Sequence, residues 1–203
     1  MSEKEVRNLS EKQILIYKAI VDLINEGADV SGMKVGEITA RAGIGKGTAY
    51  EYFSSKEEMV IEALEYNTMM QVMTVKAMVE KKDAFRDKFM CILNYMDENK
   101  DQIRTFLWMV RLQGKEWDIS SYTSGGPACK EAMDKIGQLV ELAVWFLAFA
   151  EAEGVITEKN KDYQISALLS QIVQFAFYLH FGGERDLESV KNFIYEGFIK
   201  QLT

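Results

Sequence analysis

Proline is almost absent from this 203-residue chain: Pro127 is the only one, so 126 residues precede it without a ring that would break a helix. Cysteine and histidine are equally scarce, with Cys91, Cys129 and His180 the whole complement. So few, so far apart, exclude a disulfide framework and argue against a zinc site or any metal centre built on several imidazoles. No metal or cofactor is expected. Long apolar runs are missing too, since none approaches the roughly 18 residues of a membrane span. The opening MSEKEVRNLSEKQ lacks the apolar core of a signal peptide. The chain therefore reads as reduced and cytoplasmic, without a membrane partner. Stretches that alternate apolar and polar over five or more residues are also rare, which removes most strand signals.

What remains is globular, with 48% hydrophobic, 11% aromatic and 27% charged positions. That is too apolar and too aromatic for disorder. The expected fold class is all-α. The formal charge of −7 argues at first against a nucleic-acid partner, but its distribution is uneven. Residues 1–56 hold eight basic side chains and eight acidic ones, so the whole excess of negative charge lies beyond them. A neutral first quarter and an acidic remainder suggest two parts with different partners.

Periodicity places about nine helices. Ser10 and Gln13 resemble a capping box ahead of Ile14, Tyr17, Val21 and Ile24 at helical spacing, and Gly27 ends that helix. A second helix covers about Lys34–Ala42, Gly43-Ile44-Gly45 forms a tight turn, and a short third helix spans about Lys46–Phe53. Ser54 or Ser55 caps a fourth, with Glu57 and Glu58 in its first turn, running to about Lys82. Further helices are expected over about Asp83–Glu98, Lys100–Gln113, Ala128–Glu153, Lys161–Phe181 and Leu187–Leu202, with an irregular stretch over Gly114–Pro127. The first three make a helix-turn-helix domain over 1–54, followed by a larger helical domain over 55–203. In the former, Gly43 allows a left-handed turn, and Ile38, Ala42, Ile44 and Phe53 supply a small core.

The string Lys34-Val-Gly-Glu-Ile-Thr-Ala-Arg-Ala-Gly-Ile-Gly-Lys-Gly-Thr-Ala-Tyr-Glu-Tyr-Phe-Ser-Ser-Lys-Glu-Glu58 resembles the signature of TetR/AcrR-type transcriptional regulators. About a dozen positions agree in type and spacing, over roughly an eighth of the chain. The resemblance implies that Lys46, Gly47, Thr48, Tyr50, Glu51 and Tyr52 face double-stranded DNA and that Lys56 reaches a phosphate. By chemistry, Tyr50, Tyr52 and Lys56 suit positioning on the backbone, whereas Lys46, Thr48 and Glu51 can meet base edges. The sequence departs from the pattern at Ala49, where a leucine is usual, at Lys34, where a capping Thr or Ser is common, and at Gly36, where some members carry a long polar side chain. Lys34 thereby loses a cap and gains a phosphate-binding cation. With a neutral domain, nonspecific affinity should be weak and strongly dependent on salt.

The helix from Asp162 to Phe181 is apolar nearly all round, so it should be buried on all sides, partly by a partner chain. The resemblance implies that the last two helices form a four-helix bundle across a two-fold axis, placing two recognition helices on a pseudo-palindromic operator. The candidate dimer residues are Ile172, Phe175, Leu179, Val190, Ile194, Gly197 and Phe198. Methionine and aromatic side chains suit an adaptable pocket, and an ordinary core equally. The candidate effector residues are Met69, Met73, Met90, Asn94, Trp108, Arg111, Trp145, Phe149 and Tyr178. The lone His180 reads as structural. An apolar or amphipathic small molecule is the expected effector. The chain shows no Gly-rich phosphate loop, no Gly-x-Ser-x-Gly and no paired-histidine motif, so no catalytic residue is proposed. A helical protein-interaction adaptor that has lost DNA binding is the alternative reading.

Overall fold

The computed structural model describes residues 3–6, 8–100, 127–181 and 186–203, with the backbone alone at 3, 4 and 127–139. Every regular element among them is a helix: α1 (Glu3–Val6), α2 (Glu11–Asn25), α3 (Val35–Ala42), α4 (Lys46–Tyr50), α5 (Lys56–Val79), α6 (Phe85–Glu98), α7 (Pro127–Ala152), α8 (Lys161–Phe181) and α9 (Leu187–Leu202). Eight of these match expected helices, and α1 is an addition. The helix expected over Lys100–Gln113, beyond Lys100 itself, and the irregular stretch Gly114–Pro127, short of Pro127, lie outside the described residues. The chain forms two compact units that part between Lys76 and Ala77, inside α5.

In the first unit, α2 starts where the Ser10 hydroxyl accepts the Gln13 N–H at 3.2 Å, while the Gln13 side chain accepts the Ser10 N–H at 3.1 Å. This reciprocal capping satisfies two donors that a helix start leaves free. Ile16, Tyr17, Ile20 and Ile24 recur on one face and are fully buried or nearly so, and α3 packs its Val35, Ile38 and Ala42 against them. Each such aliphatic side chain contributes about 1.5–3 kcal/mol by leaving water. The N-terminus of α5 is capped by Ser55, whose hydroxyl accepts the Glu58 N–H at 3.1 Å. The Glu58 carboxylate in turn accepts the Ser54 N–H and hydroxyl, each at 2.5 Å. These bonds hold the carboxyl of Glu58 below the usual carboxylate range.

The second unit centres on an aromatic cluster. Phe85 and Phe89 of α6 meet Phe146 of α7 and Phe198 of α9, with Phe85–Phe146 and Phe89–Phe198 centroids 5.2 Å apart. All four rings are buried. The buried Lys88 also sits here, donating from Nζ to the carbonyls of Val79, at 3.3 Å, and Lys82, with its ammonium 4.4 Å from the centre of the Phe149 ring. It satisfies carbonyls at the end of α5, which stops at Val79 rather than continuing to Lys82. A second buried lysine, Lys191 of α9, pairs with Asp97 and Glu188 at 2.9 Å each. Burial weakens its charge, but the two carboxylates prevail and hold its ammonium above the ordinary lysine value. The C-terminus is tied back, because Thr157 and Glu158 donate their N–H groups to the Leu202 carbonyl at 2.8 and 2.9 Å.

Candidate nucleic-acid interface

The site is built by α3, the turn after it, and α4. Gly43 caps α3 with φ 69°, a left-handed conformation that L side chains rarely adopt, and its N–H returns to the Ala40 carbonyl at 3.3 Å. At the other end of α3, Lys34 offers no capping side chain, and the Glu37 carboxylate accepts the Lys34 N–H at 2.9 Å. That leaves the Lys34 side chain exposed, with no ion pair among the described residues. The arginine of α3 is not equally available. Arg41 donates both terminal nitrogens to Glu26, at 2.7 and 2.6 Å, clamping the last turn of α3 to the end of α2. This bidentate pair holds the Glu26 carboxyl below its ordinary value.

The following helix, α4, is five residues long and ends at Tyr50. It is shorter than the expected Lys46–Phe53: Tyr52 and Phe53 both return their N–H groups to the Ala49 carbonyl, at 3.1 Å each, and the next N–H, that of Ser54, goes to the Glu58 carboxylate instead of back to Tyr50. Ala49 is fully buried and Phe53 nearly so, and the Phe53 ring meets the edge of Tyr17 at 5.7 Å. The alanine that departs from the usual leucine is thus the inward residue of α4, and its small side chain lets the helix lie close to the core. Lys46, Gly47, Tyr50, Glu51 and Tyr52 are exposed and Thr48 half-buried, with Tyr50 at 51% exposure. A Cβ added at Gly47 or at Gly36 would meet nothing within 4 Å, so both positions open directly onto solvent. Lys56 is less free: its Nζ donates to the Ser31 carbonyl at 3.0 Å and lies 4.0 Å from Glu57. It therefore fastens the loop before α3 to the start of α5, and only its remaining donors can serve a phosphate.

A short helix held by its inner face, with lysine, threonine, tyrosine and glutamate side chains outward after a glycine-capped turn, is the arrangement that enters a groove of duplex DNA. Residues 16–63 match the family model of the bacterial regulatory proteins, tetR family. The chain thus carries a DNA-binding domain of the tetR type. It is a DNA-binding transcriptional regulator. None of the curated proteins matches it. Among solved structures, the TetR-type fold recurs in the regulator FadR from Bacillus subtilis in complex with stearoyl-CoA, at 15% identity and TM-score 0.67, over 94% of this chain and 99% of that one. A putative regulator from Saccharomonospora viridis in complex with choline is similar over 95% of this chain and 97% of that one, at 15% identity and TM-score 0.68. A TetR regulator from Haloarcula marismortui aligns over 96% of this chain and all of its own, also at 15% and 0.68.

The remaining candidates of this TetR-type chain lie in different surroundings. Of the dimer set, Phe175, Ile194 and Phe198 are packed into the chain's own core, and Ile172, Leu179, Val190 and Gly197 are half-buried. The close approach that Gly197 permits is internal, since a Cβ there would come 3.9 Å from the Gln171 side chain of α8. The apolar side chains left open are others, Leu169, Phe177 and Phe181 of α8 and Phe193 of α9, with Phe181 and Phe193 above 70% exposed. Phe177 and Phe181 stack on each other with centroids 6.0 Å apart. So α8 is not buried all round within one chain; its outer face is bare. His180 is exposed beside it, edge-on to Phe181 at 4.4 Å.

Of the effector set, Met69, Met73, Met90, Asn94, Trp145, Phe149 and Tyr178 are half-buried, while Trp108 and Arg111 lie outside the described residues. Trp145 and Phe149 meet edge to face at 5.2 Å. No three His, Cys, Asp or Glu side chains among the described residues are grouped to hold a metal, and no described helix is long and apolar enough to cross a membrane.

Proposed function

We propose that this regulator is a homodimeric repressor whose operator affinity is changed by a small molecule held in the C-terminal unit. It works in the cytoplasm, where the chromosome is, and catalyses no reaction. Residues 1–54 bind DNA; residues 55–203 carry the effector and the dimer contact. The observation that carries the DNA assignment is the two-sided α4, anchored by Ala49 and Phe53 and presenting Lys46, Gly47, Tyr50 and Glu51. Lys34, Lys56, Tyr50 and Tyr52 hold the backbone, and Lys46, Thr48 and Glu51 meet base edges.

The bare apolar face of α8 and α9 supports a second copy of the chain as its cover, since exposed clusters of large apolar side chains mark contact surfaces. Two-fold pairing through Leu169, Phe177, Phe181 and Phe193 would set two α4 helices on successive turns of DNA, about 34 Å apart. Two similar structures hold a small molecule, stearoyl-CoA in one and choline in the other, which supports a small-molecule effector for this chain. The test is to incubate the full chain with sheared genomic DNA, recover the retained fragments, and measure mobility shifts on them. The reading expects a fragment with a pseudo-palindromic site bound as a dimer. Retention no better than that of competitor DNA would leave the chain an adaptor.

A further inference from the structure

The outer side of α4 rises to a crest. Successive helical residues are turned by about 100°, so Gly47 and Glu51, two positions before and two after Ala49, both lie within about 20° of the line opposite it. Ala49 is the fully buried anchor of α4, so that line points away from the core. Glu51 keeps helical geometry, with φ −71° and ψ −24°, and its N–H returns to the Gly47 carbonyl at 3.2 Å, one turn back. Gly47 has no side chain, and the space around it is open. The exposed carboxylate of Glu51 is therefore the side-chain group that stands furthest out on α4. Lys46 and Tyr50 occupy one flank, turned about 60° and 100° from Ala49, and Thr48 occupies the other, at about 100°.

That carboxylate is not neutralised along its own stretch of chain. Its neighbours at three and four positions, Thr48 and Gly47 before it and Ser54 and Ser55 after it, carry no charge. Of the two lysines next in reach, Lys46 is rotated about 140° from it around the helix, and Lys56 is turned to the Ser31 carbonyl at 3.0 Å. Other carboxylates at this end of the unit are occupied: Glu26 by Arg41, Glu37 by the Lys34 N–H and Glu58 by Ser54. Glu51 has no hydrogen bond or ion pair from its side chain among the described residues.

A groove of duplex DNA that receives this crest meets the carboxylate first. The phosphates on either side are anionic, and the major-groove edges of two bases offer acceptors, N7 and O6 of guanine and O4 of thymine. Adenine offers an amino group, but beside its N7 acceptor. Cytosine alone offers an amino group, N4, with no acceptor on the same edge. A carboxylate pressed into the groove without a donor loses its water and gains nothing in return. We infer that Glu51 selects the operator by exclusion: it accepts a hydrogen bond from the N4 amino group of one cytosine in each half-site and rejects sites with another base there. This rests on the reading of α4 as the helix that contacts DNA. The balance of charge suits such a reader. Eight basic and eight acidic side chains in residues 1–56 give the domain little general attraction for DNA, so sites that fail the match are held weakly.

The test selects duplexes from a synthetic pool with a randomised core, using the full chain as wild type, Glu51→Gln and Glu51→Ala. Affinities are then measured on the selected duplex with each base in turn at the implicated step. Wild type should prefer cytosine at one step of each half-site at least about tenfold over any other base. Glu51→Gln should move that preference to adenine, whose N6 and N7 match a carboxamide, and leave the other steps unchanged. Glu51→Ala should lose it, binding the cytosine duplex more weakly than wild type and the mismatched duplexes more tightly, because a negative charge has left the groove. Both variants should keep the wild-type urea midpoint, since Glu51 lies outside the core. With a merely solvated glutamate, Glu51→Ala would tighten every duplex by the same factor, and that result overturns the inference. No cytosine preference, or one that survives both substitutions, overturns it as well while leaving the DNA reading intact. A wild type that enriches no sequence from the pool would sink the DNA reading of α4, and this inference with it.

Discussion

Replacing Tyr17 by phenylalanine removes one oxygen from the centre of the N-terminal unit. Its hydroxyl donates to the Glu62 carboxylate at 2.6 Å, joining α2 to α5, while its fully buried ring meets Phe53 at 5.7 Å and Tyr66 at 5.3 Å. Phenylalanine keeps both ring contacts and opens no cavity larger than a hydroxyl. A hydrogen bond to a charged acceptor is worth about 1.5–3 kcal/mol, and Glu62 is half-exposed, so water can replace the lost donor. The expected loss lies near the lower limit, about 1.5 kcal/mol.

The pH dependence sharpens this. Burial first, then the bond to Glu62 and its charge, push the Tyr17 hydroxyl well above the ordinary tyrosine value. The unfolded chain releases that proton near pH 10, so the contribution is complete below pH 10 and shrinks above it by about 1.4 kcal/mol per unit. Tyr95 and Tyr195 are also pushed up by burial, but they are common to both proteins and cancel in the difference. Urea unfolding of wild type and Tyr17→Phe, followed by circular dichroism, should give a gap of about 1.5 kcal/mol at pH 8 that closes near pH 11. A gap that is absent at pH 8, or that persists undiminished at pH 11, would refute the Tyr17–Glu62 bond as the link between α2 and α5.

Two other outcomes follow from the same geometry. Gly43→Ala forces a side chain into a left-handed turn where space is open but the backbone is strained, so it should cost about 1–2 kcal/mol in urea unfolding without any clash. Placing glutamate at both Phe181 and Phe193, which are exposed in the single chain, should leave helicity intact and convert a dimer to a monomer in sedimentation, with operator affinity reduced at least about tenfold. An unchanged dimer would move the contact off α8 and α9.

Much of the N-terminal unit was legible because its signals are local. Ser10 and Gln13 stand three residues apart, Gly43 follows α3 directly, and their roles need no knowledge of the rest of the chain. Contacts that cross the sequence were not legible. Nothing near Lys56 indicates that its ammonium reaches Ser31, 25 residues away, nor that Tyr17 meets Glu62 across 45. The length of α4 escaped for a different reason: Glu51, Tyr52 and Phe53 fit a helical pattern, yet the Ser54 N–H turns to the Glu58 carboxylate and the helix is not continued. In α8, an apolar pattern running round the helix could not say which side meets the chain's own core. Phe175 faces inward and Phe177 outward, two residues apart.

The central claim is that the outer side of α4 lies against duplex DNA, and Gly47→Ala tests it most directly. The protein itself has room for that methyl group, with nothing within 4 Å, and alanine in a helix is favoured over glycine by about 0.5–1 kcal/mol. Measured on the fragment recovered from genomic DNA, the variant should be at least as stable as the wild type and yet bind at least about tenfold more weakly, as expected where one methyl group meets a closely apposed backbone or base. Unchanged affinity in a stable Gly47→Ala protein would mean that DNA does not approach this face, and the account would be wrong.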